Sequence, residues 1–420
     1  MEFGDAQALA ARAAKVLQPR SPIRTRELFA GRWSELTTVG DAVHQIGLHA
    51  LIYGERGVGK TSLSNVIGPT IWALDGAGMD GGNQNIRLIV RAVTSSGDSF
   101  AALWEKLFKE ILWQNNKPMV GFLSGTKPPT TLMEAFSLQQ SMLSIDMVRR
   151  ILSSLPGRVF IIEEFDRAGP ETSRNFTDLI KAVSDLGMDL TIVLVGVADT
   201  VDKLIADHAS IGRQLIQVHL PRMQQDELRA ILTYAEKSLP VNFEDEAADL
   251  IIKMSQGLPH YTHLIGLEAI REAALKRHSP SIIRSDVFAA LKTAVKHAEQ
   301  STATKYGKAT HSAQKDALYK QILLACAITA AKSTDSMGYF NPAAISGPLA
   351  AILGKNVTVA TFNSHLSDFM QPKRGQILER SGQARSYRYR FQDPLVVPYV
   401  FMTSVTAGLL TDRKLVAMLN

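Results

Sequence analysis

The stretch Gly54-Glu55-Arg56-Gly57-Val58-Gly59-Lys60-Thr61 has the spacing G-x-x-x-x-G-K-[ST] of a phosphate-binding P-loop. It follows an apolar run at 49–53 that predicts a buried strand, and it precedes a segment with helical spacing. Glycines in such a loop let successive backbone N–H groups turn toward phosphate oxygens. Because the spacing and the flanking elements agree, the sequence predicts a nucleotide-binding loop that includes the adjacent Ser62.

Two side chains of this loop carry specific chemistry. The Lys60 ammonium is expected to neutralise the β and γ phosphate oxygens, and the Thr61 hydroxyl is expected to bind Mg²⁺ at the start of the helix. The expected ligands are therefore ATP or ADP together with Mg²⁺.

A second apolar run, Val159 to Ile162, ends in Glu163 and Glu164. A P-loop ATPase needs one acid that holds the metal through water and one base that polarises the attacking water. We predict Glu163 for the metal and Glu164 for the water; the alternative is a solvated strand end without a role.

Two further positions have two interpretations each. Asp199 or Thr200, after the apolar run 191–196, either senses the γ phosphate or caps the next helix. Arg213, just before the last predicted strand, either reaches the γ phosphate of a neighbouring subunit or is an ordinary surface arginine. The candidate catalytic residues are Lys60, Glu164, Asp199 and Arg213.

Short apolar runs alternate with helical patterns from about residue 49 to 221, which predicts a doubly wound parallel α/β sheet. The strand signal then disappears, and 222–300 has helical spacing throughout. Between 314 and 402, three helices followed by a two-stranded ribbon predict a winged helix.

With Phe29-Ala30-Gly31-Arg32 upstream, this P-loop and this acidic strand end, the chain resembles the AAA+ branch of P-loop ATPases, especially origin-recognition and archaeal initiator ATPases. It is also similar to the STAND group of signalling ATPases, because Gly257-Leu258-Pro259 matches that group's G-x-P motif. The resemblance implies an AAA+-type parallel sheet core, an all-helical lid and a C-terminal winged helix. It also implies nucleotide contacts at Phe29, Gly31, Arg32, Pro259 and His260, a sensor at Asp199 and an arginine finger at Arg213.

The chain departs from the family pattern at two of these positions. Glu163 stands where the family usually has Asp, and His260 stands where initiators carry a sensor arginine. Both departures lead us to expect slow hydrolysis or a nucleotide-gated switch. His260 and His263 lie one helical turn apart, but without a third ligand we interpret them as structural histidines.

The patterns along the chain divide it into six segments: a helical lead-in (1–48), the ATPase core (49–221), the lid (222–300), a linker (301–313), the winged helix (314–402) and a tail (403–420). Most of the excess positive charge lies in the predicted wing. Between 371 and 390, one carboxylate, Glu379, faces six basic residues: Lys373, Arg374, Arg380, Arg385, Arg388 and Arg390. Such a ribbon contacts DNA phosphates, or is simply a solvated edge, or docks on an acidic partner protein or on the ATPase core.

Composition restricts the remaining possibilities. The chain has 420 residues, a net charge of +6 and one cysteine, with no apolar stretch of the roughly 20 residues that a membrane span needs. We expect a cytoplasmic protein without membrane contact. Three hypotheses remain: a DNA-binding ATPase that assembles into oligomers, a STAND-like switch, or a regulatory ATPase subunit of a partner effector protein.

Overall fold

The computed structural model describes residues 2–77, 87–113, 129–198, 200–205, 208–314, 317–335, 337–383, 386–411 and 414. The chain forms two units. The core unit contains Ile23–Glu55 and Lys60–Pro221, and the helical unit contains Met1–Pro22, Arg56–Gly59 and Arg222–Asn420. The P-loop tip, Arg56–Gly59, therefore makes its main contacts within the helical unit.

The core unit contains a five-stranded parallel sheet, as the sequence predicts. Its strands are β1 (His49–Gly54), β2 (Leu88–Val93), β5 (Arg158–Glu163), β6 (Leu190–Val197) and β7 (Leu215–His219), in the order β2-β5-β6-β1-β7. A short antiparallel ribbon pairs β3 (Leu112–Trp113) with β4 (Thr130–Thr131). The order reverses beside β1, and ligands of parallel sheets bind beyond the carboxyl ends of the strands at such a point. The P-loop follows β1 at this position.

Helices cover the sheet of the core unit because their apolar residues recur every three or four positions. They are α2 (Trp33–His44), α3 (Lys60–Ala77), α4 (Phe100–Lys109), α5 (Leu132–Ala135), α6 (Ile145–Ser153) and α7 (Pro170–Asp185). The Ser99 hydroxyl caps α4 by accepting a hydrogen bond from the Ala102 N–H. Trp104 of α4 packs against Phe160 of β5 and Phe176 of α7, with ring centroids 5.2 and 6.1 Å away. This aromatic core fixes β5, which carries the acidic strand end.

The helical unit contains the remaining elements. Its helices are α1 (Phe3–Val16), α8 (Gln225–Ser238), α9 (Asp245–Ser255), α10 (Pro259–Lys276), α11 (Arg284–His297), α12 (Gln300–Thr310), α13 (Tyr319–Lys332), α14 (Ser346–Leu353), α15 (Val359–Phe369) and α16 (Val396–Thr406). Its strands are β8 (Asn242–Phe243) with β9 (Ser281–Ile282), and β10 (Leu378–Ser381) with β11 (Arg388–Phe391). The order α13, α14, α15, β10, β11 is the order of elements that the sequence predicts.

The segments differ from the sequence-based division in three places. The lead-in is split, because α1 buries Leu9, Ala13 and Leu17 and packs on α10, while residues from Ile23 onward belong to the core unit. The predicted linker is largely the helix α12, whose Thr302 and Ala309 are buried. The boundary drawn at residue 402 falls inside α16. In the part of the chain that the structure describes, no helix combines the length and the apolar character of a membrane span.

Candidate functional site

The P-loop backbone depends on three glycines with positive φ. Gly54, Gly57 and Gly59 have φ of 155°, 86° and 100°, a region that side-chain-bearing residues rarely adopt. A Cβ on Gly54 would lie 2.3 Å from the carbonyl oxygen of Leu220, which follows β7. Only glycine therefore lets the end of β7 run beside the start of the loop.

The Lys60 side chain is folded back into the loop. Its ammonium donates to the carbonyl oxygens of Gly54 at 3.0 Å and Glu55 at 2.7 Å, and the residue is buried. Carbonyl oxygens are weaker partners for an ammonium than phosphate oxygens, because a charge-assisted bond to an anion is about twice as strong. The ammonium thus has two bonds that a phosphate group can replace.

Ser62, predicted as a contact residue, has a structural partner. Its hydroxyl accepts a hydrogen bond from the Ile23 N–H at 3.1 Å, and the Asn65 amide donates to the Ile23 carbonyl at 3.0 Å. Together they attach the entering segment to the first turn of α3. The neighbouring Thr61 is half-buried, and its carbonyl accepts from the Ser64 hydroxyl.

Glu163 ends β5 as a buried carboxylate with two donors. Its Oε1 accepts from the Ser64 hydroxyl at 2.9 Å and from Arg91 Nη1 at 3.3 Å. Burial lowers the pKa of Arg91, and the carboxylate of Glu163 opposes that shift. The positions of Arg91 and Ser64 beside Glu163 could not be predicted from the sequence, because neither residue belongs to a motif that relates it to Glu163.

The donor set at this position suits a hard divalent cation. Mg²⁺ prefers oxygen ligands, and the Thr61 hydroxyl and the Glu163 carboxylate are both oxygen donors. Among the described residues, every hydrogen bond to Glu163 ends on Oε1, which leaves Oε2 for other ligands.

Glu164 differs from Glu163 in backbone and environment. It has a left-handed backbone with φ of 54°, is exposed, and pairs with Arg167 at 2.8 Å. Non-glycine residues in this region store strain and often lie at functional sites. The next acid, Asp166, accepts from the Val197 N–H at 2.8 Å, so the loop after β5 is attached to the end of β6.

The remaining candidate site residues of the core unit are Asp199, Thr200 and Arg213. Asp199 is outside the described residues, and Thr200 precedes a short turn without capping it through its side chain. Arg213 is exposed just before β7, whose first residue Leu215 pairs with His49. Because His49 begins β1 and Gly54 ends it, Arg213 lies at the sheet edge opposite the P-loop of its own chain.

The segment around Phe29 to Arg32 is held by contacts with protein groups. Phe29 is buried and meets the ring of Trp33 edge-on, and Gly31 and Arg32 have φ of 66° and 61°. The buried guanidinium of Arg32 pairs with Glu35 at 3.0 Å and donates to the carbonyl of Pro221. Arg32 thereby connects this segment to Pro221, two residues after the end of β7.

In the helical unit, Pro259 and His260 at the start of α10 contact other residues of the same unit. Pro259 begins α10, and its Cγ is 3.9 Å from the position of a Cβ on Gly59. His260 Nδ1 is 2.6 Å from the carbonyl of Pro19, so this nitrogen is the N–H donor, and burial lowers the pKa of the ring. The buried His263 has its pKa lowered to about 4, chiefly by burial. Both rings therefore favour the neutral form at pH 7.

The P-loop tip is bound by residues far away in the sequence. Arg56 pairs with Asp393 at 3.3 Å and with Glu299 at 2.6 Å, and Lys305 also pairs with Asp393, at 2.9 Å. Leu395 packs against the tip, since its Cδ2 is 2.8 Å from the position of a Cβ on Gly57. We call this group the tip latch: Arg56, Gly57, Glu299, Lys305, Asp393 and Leu395.

Most basic residues of the predicted wing have partners within the helical unit. Arg374 stacks 3.8 Å over Tyr319, and Arg380 lies 4.0 Å over Tyr387. Arg388 pairs with Asp335, and Arg390 pairs with Glu379. Lys373 is exposed, and Arg385 is outside the described residues. The alternation along β11 is as predicted, with Tyr389 and Phe391 buried and Arg388 exposed.

The parallel sheet with its P-loop after β1 defines the protein as a P-loop NTPase. The sequence model of the family nSTAND1, novel STAND NTPase 1, matches residues 22–338, about three quarters of the chain. The chain therefore belongs to this family. The resemblance to AAA+ ATPases of the origin-recognition type and to the STAND group is confirmed, whereas a search of curated proteins finds no match.

Several solved structures are similar to this chain over most of its length. The Walker-type ATPase PABY2304 of Pyrococcus abyssi is 18% identical with a TM-score of 0.52, over 91% of this chain and 99% of that one. Cdc6p of Pyrobaculum aerophilum is 14% identical with a TM-score of 0.45, over 94% and 98%. The ORC2 protein of Aeropyrum pernix, solved as ADPNP and ADP complexes, is 12% identical with a TM-score of 0.44, over 99% and 93%.

Proposed function

We propose that this protein binds ATP with Mg²⁺ at its P-loop, hydrolyses it slowly and uses the bound nucleotide as a switch. The observation that carries the proposal is the loop itself, with three positive-φ glycines and the buried Lys60 ammonium at the start of α3. Membership of a STAND NTPase family supports it.

Each loop residue has a part in the proposed binding. The Lys60 ammonium exchanges its bonds to the carbonyls of Gly54 and Glu55 for bonds to the β and γ phosphates. Backbone N–H groups of the loop and of the first turn of α3 bind the phosphate oxygens. Thr61 would bind Mg²⁺ directly and Glu163 would hold it through water, and the bound Mg²⁺ would neutralise charge on the phosphates.

Slow hydrolysis follows from the positions of Glu164 and His260. Glu164 must leave Arg167 and turn toward the attacking water before it can act as a base. His260 favours the neutral form and donates to the Pro19 carbonyl, so it adds little positive charge near the phosphates. Both features raise the activation barrier for ATP hydrolysis relative to a site with a preformed base and a sensor arginine.

The switch is supported by the tip latch. Arg56, which binds Asp393, and Gly57, which packs against Leu395, belong to the loop whose backbone is proposed to bind phosphate. A ligand that shifts the loop therefore also shifts the latch. Opening of the latch then frees the segment from Asp393 onward to signal to a partner effector protein or to a second copy of the chain. In such an assembly, Arg213 is free to reach the neighbour's γ phosphate.

Calorimetric titration with ATP and ADP, together with phosphate release, tests the enzymatic part. Lys60→Ala is expected to weaken ATP binding at least about tenfold, a loss of about 1.4 kcal/mol or more. Glu164→Gln should bind ATP like the parent and lose turnover. Lys109→Ala, on the exposed surface of α4, is the control for lysine removal. ATP affinity of Lys60→Ala equal to the parent would exclude this site.

Binding of DNA by the predicted winged helix is a second candidate, favoured by the exposed Lys373, Arg380 and Arg388 around the ribbon β10–β11. Fluorescence anisotropy of a labelled duplex is expected to give an affinity whose logarithm falls linearly with log salt. Replacing these three residues by Ala should lower that slope by about one unit per lost phosphate contact. Lys237→Ala on α8 is the control. Absence of binding at 50 mM salt would remove this candidate.

A further inference from the structure

Arg91 of β2 occupies an unusual place beside the strand end that carries Glu163. Its Nη1 is 3.3 Å from Glu163 Oε1 and 3.3 Å from the Ser64 hydroxyl, and its Nη2 donates to the Ser64 carbonyl. The side chain of Arg91 is 30% exposed and that of Glu163 is 11% exposed. A permanent cation therefore already neutralises the acid that we assign to Mg²⁺.

Glu163 and the expected metal ligand Thr61 are connected through Ser64. The Ser64 Oγ lies 2.9 Å from Glu163 Oε1 and 3.0 Å from the Thr61 carbonyl oxygen. Arg91 also binds Ser64, so the three side chains form one network. A cation that binds Oε2 would therefore share one carboxylate with the Arg91 guanidinium, which is bound to Oε1.

We propose that Arg91 and Mg²⁺ compete for Glu163, so that Arg91 sets the Mg²⁺ concentration at which the nucleotide site fills. Arg91 acts as a positioning residue that holds the acid in the metal-free state. The repulsion between a guanidinium and a divalent cation a few ångströms apart favours exchange over joint occupancy. This inference rests on the proposed function, because the site it concerns is the nucleotide site.

A Mg²⁺ titration with a fluorescent ADP analogue tests the competition. Affinity is measured in EDTA and then at rising Mg²⁺ for the parent, Arg91→Met and Arg87→Met. Arg91→Met keeps an unbranched side chain but removes its charge, and should lower the half-saturating Mg²⁺ concentration about three- to tenfold. Arg87→Met is the matched control, because Arg87 pairs with Asp189 at the opposite edge of the same sheet. Its Mg²⁺ midpoint should equal that of the parent.

Two further variants keep the test decisive if Arg91→Met does not fold. Ser64→Ala removes the other donor to Oε1 and should lower the midpoint about twofold, and Arg91→Lys should lower it to an intermediate value. In a Glu163→Gln background, Arg91→Met should have no further effect on the midpoint. An unchanged or raised midpoint in Arg91→Met would overturn the inference. A parent that binds no nucleotide either in EDTA or at saturating Mg²⁺ would instead refute the proposed function.

Discussion

Asp393→Asn is the sharpest perturbation of the tip latch, because it changes one charge and almost no volume. The buried carboxylate of Asp393 accepts from the Leu395 N–H through Oδ1 at 3.1 Å, and its Oδ2 faces Lys305 and Arg56. Asparagine keeps the Oδ1 acceptor and hence the start of α16. It places an NH₂ group opposite two cations, so both ion pairs are lost.

The magnitude follows from the exposure of the partners. The side chains of Arg56 and Lys305 are 47% and 32% exposed, so both cations regain water when the carboxylate is lost. Each pair is then worth about 1 kcal/mol, and together they stabilise the closed latch by about 2 kcal/mol. By the usual relation between free energy and equilibrium constants, the closed state loses about 30-fold in population relative to the open state.

Stopped-flow displacement of a fluorescent ADP analogue measures the consequence. Release from Asp393→Asn should be at least about tenfold faster than from the parent. Asp335→Asn, which removes a surface carboxylate paired with Arg388, is the control and should release the analogue at the parent rate. A double-mutant cycle with Arg56→Met should give a coupling free energy of about 1 kcal/mol. Coupling within about 0.3 kcal/mol of zero, or an unchanged release rate, would refute the latch.

Two further predictions concern stability in the core unit. Gly54→Ala should lower the unfolding free energy by about 3 kcal/mol, because the new Cβ meets a backbone carbonyl. Gly97→Ala is the control, since Gly97 has φ of 86° but open space around it, and this variant should lose about 1 kcal/mol. Equal losses of the two variants in urea unfolding would contradict this reasoning. Burial lowers the pKa of His49 to about 4, so its neutral form stabilises the fold above pH 6.5 and that stability is lost as the pH falls toward 4. Between pH 7 and 5 the contribution of His49 to this loss should be about 2 kcal/mol, and His49→Gln should remove it. The variant should keep the similar contribution of His263, whose pKa burial also lowers to about 4. An undiminished slope in the variant would assign the pH dependence to other groups.

The parts of the site predicted from sequence are those fixed by local spacing. The P-loop and the acidic end of β5 each lie within one strand and one turn, so residue order alone determines which groups meet. The parallel sheet was predictable for the same reason, since each strand is a continuous apolar run. Glu163 was assigned to the correct strand end, but its neighbours were not.

The contacts that sequence reasoning missed join residues far apart in the chain. Arg56 and Asp393 are separated by 337 positions, and Arg91 and Glu163 by 72. A charged residue in a sequence gives no information about its partner, because packing of distant elements determines which charges meet. Apolar spacing likewise predicts which face of α1 is buried without indicating that α10 covers it. The predicted wing shows the same limit, because the partners of its described arginines are carboxylates and rings on other elements.

The discontinuous helical unit has a consequence for synthesis of the protein. The helix α1 leaves the ribosome before its partner α10, which begins roughly 240 residues later. At typical elongation rates of about 5–20 residues per second, the nascent chain carries Leu9, Ala13 and Leu17 uncovered for roughly 10 to 50 s. Fragments that start at Met1 and stop at Pro221 would lack α10 and would keep that apolar stripe exposed permanently.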